Sequence, residues 1–291
     1  MLTELKVQFD IVTEAVSWEP YKVLIFPDEV SFSPEILSRV KAHLAKGGRI
    51  LATGQSGLEP SGETFALGEE WPATYQGSSP FLPLYFQPEG TLGQGLPDMP
   101  LQLFGDGFQV APTEGAQSLF FCVRPVCHQG WDGTHVNFYT PPTEKTQLPF
   151  LLRKGNITYL SANLFQGYAQ VAMRDTRLLL ENLLKILDPT PQIRTRRLPS
   201  FARAFLQFNE NLRLVHLMTY CPEKRLGTIE VDDRPAVVNG EVHLRLDNTP
   251  VRHVRCVANG IPQDLPFQVE DGYAKVTVPL VEGYALLLFE A

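Results

Sequence analysis

Gly54-Gln55-Ser56-Gly57 stands just past an apolar segment, and a serine in a glycine-flanked turn is where a strand-to-helix nucleophile elbow would place its hydroxyl. That elbow reads G-x-S-x-G and runs straight into a helix. Here Leu58 fills the last position of the pattern and Pro60, Ser61 and Gly62 follow, so the sequence predicts an ordinary strand-end turn. Cys122, Cys127, His128 and His135 are spaced C-x4-C-H-x6-H. Zinc sites pair their cysteines and their histidines more tightly, so these residues read as core cysteines and loop histidines, and no metal or cofactor is assigned. Asp28 and Glu29 are adjacent carboxylates, but neighbours in an extended segment point to opposite faces. Glycoside hydrolysis needs two carboxyls about 5 to 9 Å apart across the sugar. The pair therefore reads as a loop between a strand and a helix, and no catalytic residue is assigned.

The stretch Gln129-Gly130-Trp131-Asp132-Gly133-Thr134-His135 combines an aromatic ring, a carboxylate and an imidazole with two glycines. Apolar sugar faces stack on such rings while polar groups fix their orientation, so Trp131, Asp132 and His135 are candidates for the rim of a sugar site. The competing reading is a turn packed by Trp131 and satisfied by hydrogen bonds of Asp132. Trp71, Tyr75, Phe81, Tyr85 and Phe86 admit the same two readings, and packing of a long ordered loop or an inter-subunit patch is favoured there. Arg194, Arg196 and Arg197 form a short basic cluster, read as a solvated linker against an anion contact. His216, His243 and His253 are scattered over predicted strands and form no motif.

Tyr21 to Gly57 supplies the elements that position the first of these residues. Tyr21–Phe26 is a short apolar run, as a buried parallel strand should be. Ser33 is an N-cap, Pro34 sits at the first helical position, and Ile36, Leu37, Val40 and Leu44 make one apolar stripe. Gly47 and Gly48 end the helix and Arg49–Thr53 is the next strand, giving a parallel βαβ unit. Residues 58–150 read as a long ordered insertion with strands at Pro83–Gln87, Gln117–Arg124 and Val136–Tyr139. Ile157–Ala162 is a further apolar strand. Arg174–Leu187 is a helix with Leu179, Leu180, Leu183, Leu184 and Leu187 on one face.

From Phe201 the pattern changes to short strands alone, among them AFLQFN, LRLVHLMTY, EVHLRLD and YALLLFE. Asn209-Glu210-Asn211 and Asp271-Gly272 mark hairpin turns. The fold class that follows is an α/β flavodoxin-like domain over residues 1–192 and an all-β antiparallel sandwich over residues 201–291.

Hydrophobic residues make up 44% of the 291 and charged residues 20%, which suits two ordinary cores and excludes disorder. The net charge of −7 speaks against a nucleic-acid partner. No apolar run approaches the roughly 20 residues of a membrane span, and Met1-Leu2-Thr3-Glu4 lacks a signal-peptide pattern, so no membrane is expected. The four cysteines lack scaffold spacing and read as reduced thiols of a cytoplasmic protein.

Val7 to Leu58 resembles the β-galactosidase trimerisation domain. The likeness rests on FDIVTE at Phe9–Glu14, on YKVLIFPDEV, and on KGGRILATGQSG with the turn after it. It continues through FALGEEWPATYQGSSPFLPLYF and WDGTHVNFYTPP, which resemble fucosidase-like glycoside hydrolases carrying the same domain. NLRLVHLMTYCPEKR to EGYALLLFEA resembles their C-terminal β-domain. The resemblance implies a class I amidotransferase-like α/β fold that has lost its catalytic cysteine, and the cysteine nearest the Ser56 turn is Cys122. It also implies a position after a catalytic TIM barrel. Met1–Lys6 would supply only the last turn of the helix that precedes FDIV in such domains. The 291 residues cannot hold a barrel of about 250 residues besides these elements, so the chain is expected to be truncated relative to the full enzyme. A missing first strand would leave an open sheet edge for a partner chain or a relocated strand to cover.

The function implied is a non-catalytic oligomerisation and accessory region of a glycoside hydrolase of the β-galactosidase or α-L-fucosidase type. It would self-associate, with a trimer favoured, and Trp131, Asp132 and His135 would help enclose a carbohydrate bound by a separate barrel. Two alternatives stay open: a free-standing carbohydrate-binding or sensing module, and a cryptic hydrolase using Ser56 or a Cys/His pair.

Overall fold

The computed structural model describes residues 1–131, 133–209, 212–225, 228–233, 235–247 and 250–290. They form two compact units, one of residues 12–189 and one of residues 1–11 with 190–291. Asp132, and Glu210 and Asn211 of the first hairpin turn, lie outside the described residues.

The 12–189 unit is built on a seven-stranded mixed sheet. Its strands lie in the order Val23–Phe26, Arg49–Thr53, Ile157–Leu160, Pro142–Lys154, Gln117–Pro125, Leu84–Gln87 and Leu101–Leu103. The first three run parallel, with Leu24 opposite Ile50 and Ile50 opposite Ile157. The remainder pair antiparallel. Val23–Phe26 is thus the terminal strand at the parallel end.

The helix Pro34–Ala45 joins the first two strands and starts where Ser33 Oγ accepts the N–H of Ile36 at 3.2 Å. It ends where Gly47 N donates to Leu44 O and Gly48 N donates to His43 O, both at 2.9 Å. At Gly48 a Cβ would lie 2.2 Å from His43 Nε2, so any other residue there would force the His43 ring to move. Val40 is fully buried, and Ile36, Leu37 and Leu44 pack against the same core, as the apolar stripe predicts.

Of the aromatic stretch of the insertion, Trp71 and Phe86 are core, and Tyr75, Phe81 and Tyr85 are half-buried. Trp71 is fully buried, stacked on Phe65 at 5.1 Å and edge-on to Phe32 at 5.8 Å. Phe86 lies parallel to Phe150 with ring centroids 4.4 Å apart. The thirteen-residue strand Pro142–Lys154 has no counterpart in the sequence reading. Two prolines and a run of Thr, Glu, Lys and Gln hide it, and its register against Gln117–Pro125 shifts repeatedly. In the helix Arg174–Leu187 the buried face includes Asn182, whose amide donates to Leu92 O and Gln94 O, both at 2.9 Å.

The other unit is a β-sandwich. One sheet orders Ile193–Arg196, Val237–Arg245, Tyr273–Val281 and Phe267–Glu270. The other orders Ala202–Asn209, Leu212–Thr219, Tyr284–Glu290, His253–Ala258 and Ile261–Asp264. Alternate residues such as Val215, Leu217, Leu287 and Phe289 from one sheet, and Val242, Leu244, Val276 and Val278 from the other, form a single core. Asp271 and Gly272 both have positive φ, 50° and 78°, and close the predicted two-residue hairpin between Glu270 and Tyr273. The segment of Arg194, Arg196 and Arg197, read from sequence as a solvated linker, contains the strand Ile193–Arg196. The alternation of that strand is masked because Ile193 alone of its residues is buried.

The first eleven residues belong to this unit. Gln8 behaves as a short piece of strand: its amide donates to Ala204 O at 3.0 Å and accepts from Leu206 N at 2.8 Å, covering part of the Ala202–Asn209 edge. Lys6, buried, donates to Leu198 O and Pro199 O at 2.9 and 2.7 Å.

The three tryptophans, Trp18, Trp71 and Trp131, all lie in residues 12–189, so their fluorescence follows that unit alone. Burial holds the His43 imidazole below its ordinary pKa of 6.5, against the opposing effect of its bond to Arg49 O. The folded unit therefore favours the neutral ring, and the unfolded chain takes up the proton first as the pH falls. We expect the urea midpoint read by tryptophan fluorescence to drop as pH falls through and below 6.5, and His43→Gln to flatten that dependence.

Candidate functional site

Open α/β sheets place their ligands beyond the carboxyl ends of the parallel strands. In this unit the three strand ends lead into Pro27-Asp28, Gly54-Gln55-Ser56 and Ser161-Ala162-Asn163. Asp28 is buried and sits at φ 57°, in the left-handed region. Its N–H donates to Thr53 Oγ1 at 2.9 Å, and the Thr53 hydroxyl donates back to Asp28 Oδ1 at 2.6 Å. Asp28 Oδ2 accepts the N–H of Gln166 at 2.6 Å and Oδ1 that of Phe165 at 3.3 Å, so the carboxylate also caps the helix Leu164–Gln170. The main-chain oxygen of Asp28 accepts from Gln55 N at 2.6 Å.

This packing fills the position where a nucleophile would be presented. Ser56 is fully buried, and its Oγ accepts the N–H of Val30 at 3.0 Å. Gly54 has φ 62°, and a Cβ there would lie 2.0 Å from Asn163 Oδ1 and 2.6 Å from Asp28 O. Tyr159 donates its hydroxyl to Gly54 O at 2.6 Å and closes the turn from beneath. Asp28 and Glu29 do part as the sequence predicts: Asp28 is buried and Glu29 exposed. Sequence reasoning gave the pair only a loop role and missed Asp28 as a structural acid, because its partners come from segments 25 and about 138 residues away.

Cys122 and Cys127 are free thiols, as are Cys221 and Cys256. Cys122 is buried in the sheet, where desolvation pushes its thiol up to about 12 and makes it a poor nucleophile. Among the described residues no group of three His, Cys, Asp or Glu side chains is placed to hold a metal. No helix among them is long and apolar enough to cross a membrane.

The sugar-rim candidates occupy a short hairpin in which Gly130–Trp131 pairs with Val136–Asn137. Trp131 opposes Val136, which puts His135 beside the tryptophan's partner. Trp131 is 66% exposed, and Phe138 and Tyr139 just beyond it are 79% and 90% exposed. Phe138 and Tyr139 are additions to the candidate surface. Their alternation with polar neighbours suits a strand equally well, and only the structure shows that neither is packed.

The first 73 residues match the family described as β-galactosidase trimerisation domain. No curated protein matches the chain. Among solved structures, α-L-fucosidase isoenzyme 2 from Paenibacillus thiaminolyticus matches 99% of this chain at 28% identity and a TM-score of 0.88. A GH42 β-galactosidase from G. stearothermophilus matches all of it at 14% identity and a TM-score of 0.60. The β-galactosidase from Rahnella sp. R3 does so at 16% identity and a TM-score of 0.57, and these two likenesses concern the fold alone. The chain spans 44% of the fucosidase and 35% of each β-galactosidase.

Removing the Asp28 carboxylate would strand the donors of Thr53, Phe165 and Gln166 in a buried site. We expect Asp28→Ala to destabilise the 12–189 unit by about 3 kcal/mol in urea unfolding followed by fluorescence. Glu29→Ala should stay within about 0.5 kcal/mol of the unaltered chain.

Proposed function

We propose that this chain is the assembly and accessory region of a glycoside hydrolase, and that the catalytic carboxylates belong to a TIM barrel outside these residues. The observation that carries the reading is a match along 99% of the chain, at a TM-score of 0.88, to less than half of an α-L-fucosidase. The trimerisation family matched by the first 73 residues supports self-association, with a trimer favoured. The terminal strand Val23–Phe26, with one sheet neighbour, offers an edge where another chain can add. The packed turn around Ser56 argues against the cryptic hydrolase, since a fully buried hydroxyl engaged by Val30 N cannot meet a substrate.

In this reading Trp131, with Asp132 and His135 from the same loop, closes over a sugar held mainly by the barrel. The exposed rings of Trp131, Phe138 and Tyr139 support this, because a projecting aromatic surface is what a stacked sugar face requires. The same exposure supports the second reading, a free-standing carbohydrate module. The reading carries a cytoplasmic location, with the cysteines reduced, and needs no cofactor, nucleic acid or membrane.

The two readings separate on the full chain alone. The accessory reading expects no release of nitrophenol from nitrophenyl α-L-fucoside or β-D-galactoside, and no saturable heat on titrating L-fucose or D-galactose. Saturable binding that Trp131→Ala weakens would establish the free-standing module instead. Hydrolysis by the chain alone would overturn both.

A further inference from the structure

The sandwich carries an aromatic surface of its own, on the outer face of its five-stranded sheet. Val215, Leu217, Ala285 and Leu287 are buried in the core. Successive side chains of a strand alternate between faces, so His216, Met218, Tyr284 and Leu286 point outward. Register then sets the pattern of that face. Phe205 pairs with His216, His216 with Leu286, Leu286 with Val257, and Val257 with Pro262. This row crosses all five strands without a charged residue. Tyr284 stands one row away, opposite Met218. Two strand spacings, about 10 Å, separate the strand of Phe205 from that of Tyr284, and the strand of His216 runs between them.

Both rings are open to solvent, Phe205 at 40% and Tyr284 at 44%. A polar network holds the second. Tyr284 Oη lies 2.8 Å from His216 Nδ1, and Gln207 Oε1 lies 3.1 Å from His216 Nε2. An amide oxygen only accepts, so Nε2 carries the imidazole proton and Nδ1 accepts from the Tyr284 hydroxyl. The His216 and Tyr284 rings sit 6.1 Å apart at 41°. The backbone just before Tyr284 is fixed as well. Thr219 N donates to Gly283 O at 2.9 Å, and Gly283 N donates to Thr219 Oγ1 at 2.8 Å. The strip thus presents preorganised rings, and its rim offers an acceptor, the Tyr284 oxygen, and donors, the Gln207 amide N–H groups. Charges elsewhere on this face are matched. Arg255 meets Asp264 at 3.2 Å and Glu290 at 3.7 Å, and Arg203 donates to Ser200 O.

We propose that this strip binds a neutral saccharide chain, with sugar faces stacked on Phe205 and Tyr284 and hydroxyls held by Tyr284 Oη and the Gln207 amide. Sugar hydroxyls both give and take hydrogen bonds, which suits a rim that sets an acceptor beside donors. A polyproline helix, the peptide that aromatic grooves take, has no N–H and offers acceptors alone. A charged ligand meets no charged side chain in the central row. The two rings stand on strands about 10 Å apart, so a single sugar covers only one of them and binding needs a chain. The site goes beyond the assembly reading and does not depend on it. His216 forms no motif in the sequence because its partners Gln207 and Tyr284 lie 9 and 68 positions away.

The test is native electrophoresis of the full chain through gels holding β-1,4-galactan, xyloglucan, galactomannan or mixed-linkage β-glucan. We expect at least one of them to retard the chain, increasingly with polysaccharide concentration. Tyr284→Ala and Phe205→Ala should each weaken that binding about tenfold, whereas Tyr284→Phe, which keeps the ring, should retain most of it. Circular dichroism melting curves establish that each variant is folded. Trp131→Ala should leave the retardation unchanged, which separates this strip from the aromatic hairpin. Retardation by none of the polysaccharides, or retardation undiminished in folded Tyr284→Ala, would overturn the proposal. Saturable heat with deca-L-proline that Tyr284→Ala abolishes would make the strip a peptide site and overturn it as well. Retardation needs neither catalysis nor self-association, so its failure leaves the assembly reading standing.

Discussion

Three strand ends of the α/β unit converge on one buried carboxylate. Asp28 receives the Thr53 hydroxyl and the N–H groups of Phe165 and Gln166, and its own main chain bonds to Thr53 and Gln55. These contacts lock the first strand to the second and cap the helix that follows the third. The constraint is severe in space. Asp28 is held at φ 57°, and Gly54 must lack a Cβ because Asn163 and Asp28 crowd it. Charge-assisted bonds to a buried carboxylate are strong only while every donor is in place, so this corner specifies a single arrangement.

That arrangement has a functional consequence. The carboxyl ends of parallel strands are where an α/β fold offers its reactive groups, and here they hold each other. Ser56 spends its oxygen on Val30, Tyr159 spends its hydroxyl on Gly54, and the cysteine nearest in sequence is buried in a distant strand with its thiol pushed up to about 12. The unit has an α/β scaffold whose strand ends are packed against one another. The surfaces to which we propose to assign function lie away from these strand ends: the terminal strand Val23–Phe26 and the aromatic hairpin.

Local pattern reported this fold well where burial follows period. The Ser33 cap, the stripe of Pro34–Ala45, the alternation of the sandwich strands and the Asp271-Gly272 turn were all legible. Pattern was uninformative where long-range pairing overrides it. Pro142–Lys154 carries prolines and shifting register, and Ile193–Arg196 shows one buried side chain, so neither looks like a strand in isolation. The candidate site was legible only in its chemistry. Trp131 and His135 do share a hairpin, yet the exposure of Phe138 and Tyr139 and the keystone role of Asp28 depend on contacts that no spacing encodes.

The central claim is that these residues assemble rather than catalyse, and solution mass tests it most directly. Light scattering across a concentration series should give a closed oligomer, with three times the 32.6 kDa chain mass favoured. A mass that stays at one chain at the highest concentration would contradict the assembly role.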